Sequence, residues 1–218
     1  MKHETFFDIM KCWMKKRTFF PDDMNGGIVM IRQAKAEDAE QVAPLIYIIL
    51  EDMELPFLKG VSKEMMLEMI EASFLRSDYR FSKENVMVKE IDGKVAGILV
   101  SYHGEHAENM DDEWEGIQDM FGIVNKIPLF TEQETWMGEY YLDSLVVDSS
   151  YRGQGIGKEL LHAFKELAVA KNCEIIALNV EKANEGALNL YKKLGYESEY
   201  DLVLSGHDYY HMTQNVRS

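Results

Sequence analysis

A strand that runs into a glycine-rich turn and then into a helix constrains this chain more than any other feature. The stretch is Leu142-Asp143-Ser144-Leu145-Val146-Val147-Asp148-Ser149-Ser150-Tyr151-Arg152-Gly153-Gln154-Gly155-Ile156-Gly157-Lys158. The first turn of a helix presents unpaired N–H groups and a partial positive charge. Glycines let a ligand approach that backbone closely. Together they make an anion site suited to a pyrophosphate, and Arg152 and Lys158 add cationic donors at its rim. Two common phosphate fingerprints do not fit. A Gly-x-Gly-x-x-Gly run fails in both registers, since Gly153 leads to Lys158 and Gly155 to Leu160. A Walker-type loop fails because Arg152 stands where its leading glycine belongs and Glu159 follows Gly157-Lys158.

Length and charge narrow the class. The 218 residues make one domain, or one domain with an extension, and can bury a core without staples. Lys and Arg number 23 against 38 Asp and Glu, a net charge of −15. That argues against nucleic acid and anionic membrane as partners and permits a cationic partner or substrate. Cys12 and Cys173 form no disulfide framework, so a reducing compartment is expected, with Cys173 a small core residue. No apolar run approaches the ~20 residues of a bilayer span. Lys11, Lys15, Lys16 and Arg17 interrupt the apolar start, so no signal peptide is read and a cytoplasmic location is expected.

Residues 1–29 stand apart, with 5 basic and 4 acidic residues in an otherwise acidic chain. The run Met24-Asn25-Gly26-Gly27-Ile28-Val29-Met30 is what a purine-rich ribosome-binding site followed by a start codon would encode. Met30 is therefore read as a candidate start and 1–29 as a leader, with a docked amphipathic arm as the alternative. Residues 30–218 are read as a single domain. Within it, Val29–Gln33 predicts a strand and Ala36–Met53 a helix, in which Pro44 suggests a kink or a late start. Ser62 caps a helix to Leu75, whose methionines fill core. Asp92-Gly93 joins the strands 85–91 and 95–102 in a hairpin. An acidic insertion spans 105–138; with Glu139, that stretch holds 10 acids and one lysine. Trp114, Ile117, Met120 and Phe121 predict an amphipathic helix inside it. Strands at 139–147 and 174–180, helices at 157–170 and 184–194 and a final hairpin from Tyr196 to Asn215 complete the pattern.

The segment Arg152-Gly153-Gln154-Gly155-Ile156-Gly157 fits an Arg/Gln-x-x-Gly-x-Gly/Ala motif. A strand follows it, and then Asn184-Glu185-Gly186-Ala187-Leu188-Asn189-Leu190-Tyr191-Lys192-Lys193-Leu194-Gly195-Tyr196. In this order the chain resembles the GNAT superfamily of N-acetyltransferases, sharply over 139–196 and in element order from Met30 onward. The resemblance implies a mixed α/β (α+β) fold: a bent, mostly antiparallel sheet flanked by helices, with splayed fourth and fifth strands and acetyl-CoA in the wedge as co-substrate. Leu145, Val146 and Val147 match the strand that meets the pantetheine arm. Arg152, Gly153, Gln154, Gly155, Ile156, Gly157 and Lys158 match the pyrophosphate loop. Asn184 matches a pantetheine contact and is equally a helix N-cap. Tyr191 matches the general acid that protonates the leaving thiolate; by itself it would read as a packed aromatic. Tyr196 is read as packing.

An amine must lose a proton before it can attack a thioester. Strand alternation places Tyr141, Asp143, Leu145 and Val147 on one face, with Glu139 sharing it. Asp143 is the first candidate for base or substrate anchor and Glu139 the second; a salt-bridged strand carboxylate is the alternative for each. His103 and His106 fit no zinc template, and no metal is expected. The acidic insertion is either a wall of the acceptor cleft or a solvated face. As a wall it suggests a polyamine, an aminoglycoside-like amine or a lysine side chain, with a protein-lysine or N-terminal acetyltransferase as the wider alternative. A catalytically silent acyl-CoA sensor is the competing function, and the sequence is compatible with a homodimer.

Overall fold

The computed structural model describes residues 29–77 and 79–217. The leader or arm assigned to 1–29 therefore lies outside the described residues, apart from Val29. The strands are β1 (Val29–Gln33), β2 (Val86–Ile91), β3 (Lys94–His103), β4 (Glu139–Val147), β5 (Ile175–Glu181), β6 (Glu197–Leu204) and β7 (His207–Asn215). The main helices are α1 (Ala39–Asp52), α2 (Lys63–Phe74), α3 (Glu113–Met120), α4 (Ile156–Ala170) and α5 (Glu185–Lys193). One sheet runs in the order β1-β2-β3-β4-β5-β7-β6. Every neighbouring pair is antiparallel except β4 with β5, which α4 joins as a parallel crossover. Among the described residues no helix is long and apolar enough to cross a membrane.

Local chemistry explains most element boundaries. Asp92 and Gly93 both have positive φ, 50° and 78°, as a two-residue hairpin requires. Ser205 and Gly206 repeat the device as the two-residue connection of the last hairpin. Ser62 accepts a hydrogen bond from Met65 N at the start of α2. Helix α1 begins five residues before Pro44 and runs through it. Pro44 and Glu40 are both exposed, so the carbonyl that loses its donor faces the wet side.

The core has two main parts, one on each side of the sheet. Helices α1 and α2 pack Val42, Ile46, Leu50, Met66, Met69 and Phe74 against Val88, Ile98, Val100 and Val146. Met66 and Met69 are fully buried, as core filling requires. Helix α4 packs Leu160, Phe164 and Leu167 against Leu99, Tyr140, Leu142 and Leu178 on the other side. The acidic insertion extends the first part. Trp114 and Ile117 of α3 are buried, with Trp114 5.1 Å from Phe57 and 6.1 Å from Tyr79. Met120, expected on the same apolar face, is exposed instead.

Strand β4 departs from simple alternation. Val100 pairs with Ser144 but Ser101 pairs with Leu142, so Asp143 is an extra residue, a β-bulge. One inserted residue exchanges the faces of everything on one side of it. Tyr140 and Leu142 therefore share the α4 side with Leu145 and Val147. Tyr141 lies on the other side, where it packs against Tyr102. The single face expected for Tyr141, Asp143, Leu145, Val147 and Glu139 does not form.

Candidate active site

Strands β4 and β5 are in register over four pairs only, from Glu139–Ile175 to Leu142–Leu178. Beyond Leu142 they part, and the opening forms a cleft of about 450 Å³. Asp143, Ser144, Leu145, Val146 and Val147 line one wall, and Asn179, Val180 and Glu181 the other. Arg152, Asn184, Tyr191 and Glu134 also line it. Strands that separate leave backbone N–H and C=O groups unpaired, ready to receive an amide-bearing ligand.

The turn after β4 is built for an anion. Asp148 Oδ1 accepts a hydrogen bond from Ser150 N, which tightens the chain as it leaves the strand. Arg152 Nε donates to Val147 O at 3.2 Å, while Arg152 itself stays exposed. Gly153 and Gly155 have φ of 79° and 85°, a region L side chains rarely adopt. A Cβ at either would meet nothing within 4 Å, so open space surrounds this backbone. The first i→i−4 bond of α4 is Glu159 N to Gly155 O, so the N–H groups of Ile156 and Gly157 precede the helical ladder. Gln154 and Lys158 are exposed beside them. A diphosphate fits this donor set.

Asn184 caps α5, its Oδ1 accepting from Ala187 N at 3.1 Å. About two turns of helix further on, Tyr191 lines the cleft, with its ring 5.8 Å from Tyr196. Burial pushes the Tyr191 phenol up to about 12, so it stays protonated at neutral pH and is available as a donor. Tyr196 is buried beneath it, as a packing residue should be.

The two strand carboxylates expected to serve as base are both committed elsewhere. Asp143 lines the cleft, but its Oδ2 accepts from Arg80 at 3.0 Å and from Tyr102 OH at 2.7 Å, and its Oδ1 from Ser144 OH at 2.6 Å. Glu139 is outside the cleft lining, because it stands in the first registered β4–β5 pair, opposite Ile175, at the end where the strands are still joined. Its carboxylate accepts from His211 Nε2 (3.1 Å), Thr135 OH (2.6 Å) and Trp136 N (2.8 Å). Burial opposes the charge of Glu139, but those three donors outweigh it and hold the group below the usual carboxylate range. His103 lies against Tyr140 and His106, and neither histidine lines the cleft. Cys173 is half-buried, its Sγ 3.8 Å from His103 Nδ1.

Glu134 was not singled out by the sequence reading, because it sits in the irregular end of the acidic insertion, outside any motif. Its Oε1 accepts from Arg80 at 3.0 Å and its Oε2 from Tyr141 OH at 3.0 Å. Asn179 Nδ2 donates to its backbone carbonyl and to the Tyr141 oxygen, each at 2.9 Å. Arg80 is itself buried, and its fork also binds Asp111 at 2.8 and 2.9 Å. A second, half-open cavity of about 900 Å³ lies under the insertion. Glu105, Asp111, Asp112, Glu115, Glu132 and Glu134 contribute carboxylates to its lining, against the cations Arg80 and Lys126.

Comparison with known proteins matches residues 46–196 to the model of the acetyltransferase (GNAT) family. A crystal structure described as an acetyltransferase superposes with a TM-score of 0.79 at 38% identity, covering 86% of this chain and 99% of that one. Over 62 residues the chain is 42% identical to thialysine N-epsilon-acetyltransferase of Bos taurus, which is 28% of this chain and 36% of that protein. It is 30% identical over 94 residues to spermine/spermidine N(1)-acetyltransferase of Bacillus subtilis (strain 168), 43% of this chain and 61% of that protein. The chain thus spans less than two thirds of the length of these curated relatives.

Proposed function

This chain belongs to the GNAT acetyltransferase family, and on that premise we propose that it transfers an acetyl group from acetyl-CoA to a small cationic primary amine by direct attack. One observation carries the reading. A single cleft, at the point where two parallel strands part, holds a protonated phenol and is lined by the carboxylates Asp52, Glu134, Asp143 and Glu181 against one arginine, Arg152. An acidic cleft raises the local concentration of an ammonium group. The names of the matched relatives, which specify thialysine and spermine or spermidine, support an amine of that kind.

Acetyl-CoA, when bound, supplies the activated thioester. The chain's own groups do the rest. The N–H groups at the start of α4, with Arg152 and Lys158, hold the diphosphate. The unpaired backbone of Leu145, Val146 and Val147 takes up the pantetheine amides as an added strand would, with Asn184 across the cleft. Tyr191 donates its hydroxyl proton toward the sulfur as negative charge develops there. A backbone N–H at the bulge of β4 steadies the oxygen of the carbonyl under attack. Asp143, neutralised by Arg80, gives the cleft floor its shape and charge and takes no proton itself.

Coenzyme A release across a panel of primary amines tests the reading. Tyr191→Phe should cut kcat at least about tenfold and leave acetyl-CoA affinity nearly unchanged. Equal turnover by the variant removes the assignment of Tyr191, and a wild-type protein that binds acetyl-CoA but acetylates no amine overturns the function.

A further inference from the structure

We propose that Glu134 is the carboxylate that takes the proton from the acceptor ammonium and returns it to solvent through the outer acidic cavity. This deepens the acetyltransferase reading above and rests on it. Among the described residues Glu134 alone is common to the linings of these two cavities, so one carboxylate borders both the transfer cleft and a separate half-open space. Its placement is held from both strands that form the cleft. Tyr141 on β4 and Asn179 on β5 flank the last registered pair, Leu142–Leu178, and both are bonded to Glu134. Glu134 therefore stands at the apex where the strands part, on the same cleft as Tyr191.

The other carboxylates of the cleft are less suited. Asp143 accepts three hydrogen bonds, one of them from a guanidinium. Glu181 lies 3.1 Å from His207 Nδ1, and Asp52 is exposed at the rim. Glu134 is surrounded by Arg80, Asp111, Asp143, Tyr102, Tyr141 and Tyr209. Burial, reinforced by the charge of Asp143, outweighs Arg80 and the Tyr141 hydrogen bond and moves Glu134 above the ordinary carboxylate range. A carboxylate moved in this direction is a stronger base toward an ammonium than an ordinary one.

The proton count closes. The acceptor arrives as R–NH3+, and the Glu134 carboxylate takes one proton, leaving R–NH2 and a neutral carboxyl. The nitrogen lone pair forms the new C–N bond, and the C–S bond breaks with its electron pair on sulfur. Tyr191 gives sulfur a proton and is repaid by the second proton lost from nitrogen. The products are the N-acetyl amine, the thiol and one H+, which is the proton on Glu134. It leaves on the outer-cavity side, so its exit does not require the transfer cleft to open.

The test compares the fastest amine of the panel with O-methylhydroxylamine, a nucleophile already neutral at pH 7.5. Glu134→Gln should lower kcat roughly 100-fold with the amine but less than about fivefold with O-methylhydroxylamine. Acetyl-CoA affinity and melting temperature should hold. Tyr141→Phe keeps the carboxylate and removes a hydrogen bond to its charged form. Its acidic limb of kcat/KM should move to higher pH by about half a unit or more. Equal losses with both nucleophiles, no loss in E134Q, or a Tyr141→Phe limb that stays or moves down would each overturn the role of Glu134. If the wild-type protein acetylates no amine at all, the acetyltransferase reading falls and this role with it; normal wild-type turnover beside an unaffected E134Q defeats this role alone.

Discussion

Replacing Arg80 with methionine removes one charge and leaves three carboxylates facing one another. The methionine keeps most of the apolar stem but loses the guanidinium carbon that lies 3.6 Å from the centre of the Phe130 ring. Arg80 bonds Asp111 twice and Asp143 and Glu134 once each, and only about 5% of its side chain is exposed. Unit charges ~4 Å apart attract by about 4 kcal/mol at an effective dielectric of 20. Desolvation cancels part of that in the intact cluster, but removing one partner strands the others, which costs about 3–5 kcal/mol. In a domain of this size that lowers Tm by roughly 6–20 °C at pH 7.5. The deficit must depend on pH in a definite direction. Without Arg80 the Glu134 carboxyl, already held above the ordinary carboxylate range by burial, loses an opposing charge and moves further up. Such a group is least harmful when protonated, and its penalty grows as pH rises from the unfolded value toward the folded one. The Tm difference between wild type and R80M should therefore shrink from pH 7.5 to pH 5. Calorimetry or circular dichroism across that range measures it. If R80M is unfolded at pH 7.5, Arg80→Lys, a point charge that cannot fork across three partners, should show an intermediate and equally pH-dependent loss. A deficit below about 3 °C, or one that widens on acidification, refutes the reasoning.

The glycines make two further predictions. Gly155→Val puts a β-branched residue at φ 85°, a strain of at least about 1–2 kcal/mol in a site with no clash to add. The chain relieves it by turning the N–H groups at the start of α4, so calorimetric coenzyme A affinity should fall about tenfold or more while the fold persists; wild-type affinity refutes the phosphate cradle. Gly104→Ala places a Cβ 2.0 Å from Trp136 O and 2.8 Å from Thr135 Oγ1, so the backbone around 133–137 must move. Overpacking of this kind costs about 1–3 kcal/mol. Turnover should drop with the displacement of Glu134 while coenzyme A affinity holds, and a variant with wild-type Tm and turnover refutes that coupling.

The sequence was most legible where local chemistry and tertiary demand coincide. Asp92-Gly93 needs positive φ and has it, Ser62 caps α2, and Gly153 and Gly155 form a turn that few other residues tolerate. The family motif adds Tyr191 and Asn184, whose positions along one helix follow from a 3.6-residue turn once its start is known. Pro44 left the start of α1 open, because a proline reports a lost hydrogen bond but not which side of the helix loses it. On the exposed side of α1 the loss is tolerated, since Glu40 lies in the wet flank.

The base was not legible for a more general reason. Alternation assigns a strand residue to a face only while the register is regular, and one bulge at Asp143 reverses it for half of β4. Without that bulge, Tyr141 would share the α4 side with Leu145 and Val147, far from the insertion. With it, Tyr141 emerges on the opposite face and reaches Glu134, while the β4 backbone beyond the bulge still borders the cleft. In the proposed mechanism the same extra residue thus separates the strand that would receive the thioester from the side chains that would meet the amine. Residue 143 carries that information in its pairing with β3 and not in its identity: regular alternation places an aspartate here on the face of Leu145 and Val147, as a candidate base. Glu134, in turn, owes its position to two residues on strands it does not belong to. Motifs report chemistry that stays local in sequence, and this proton site is assembled from Arg80, Tyr141 and Asn179, which only the packed sheet brings together.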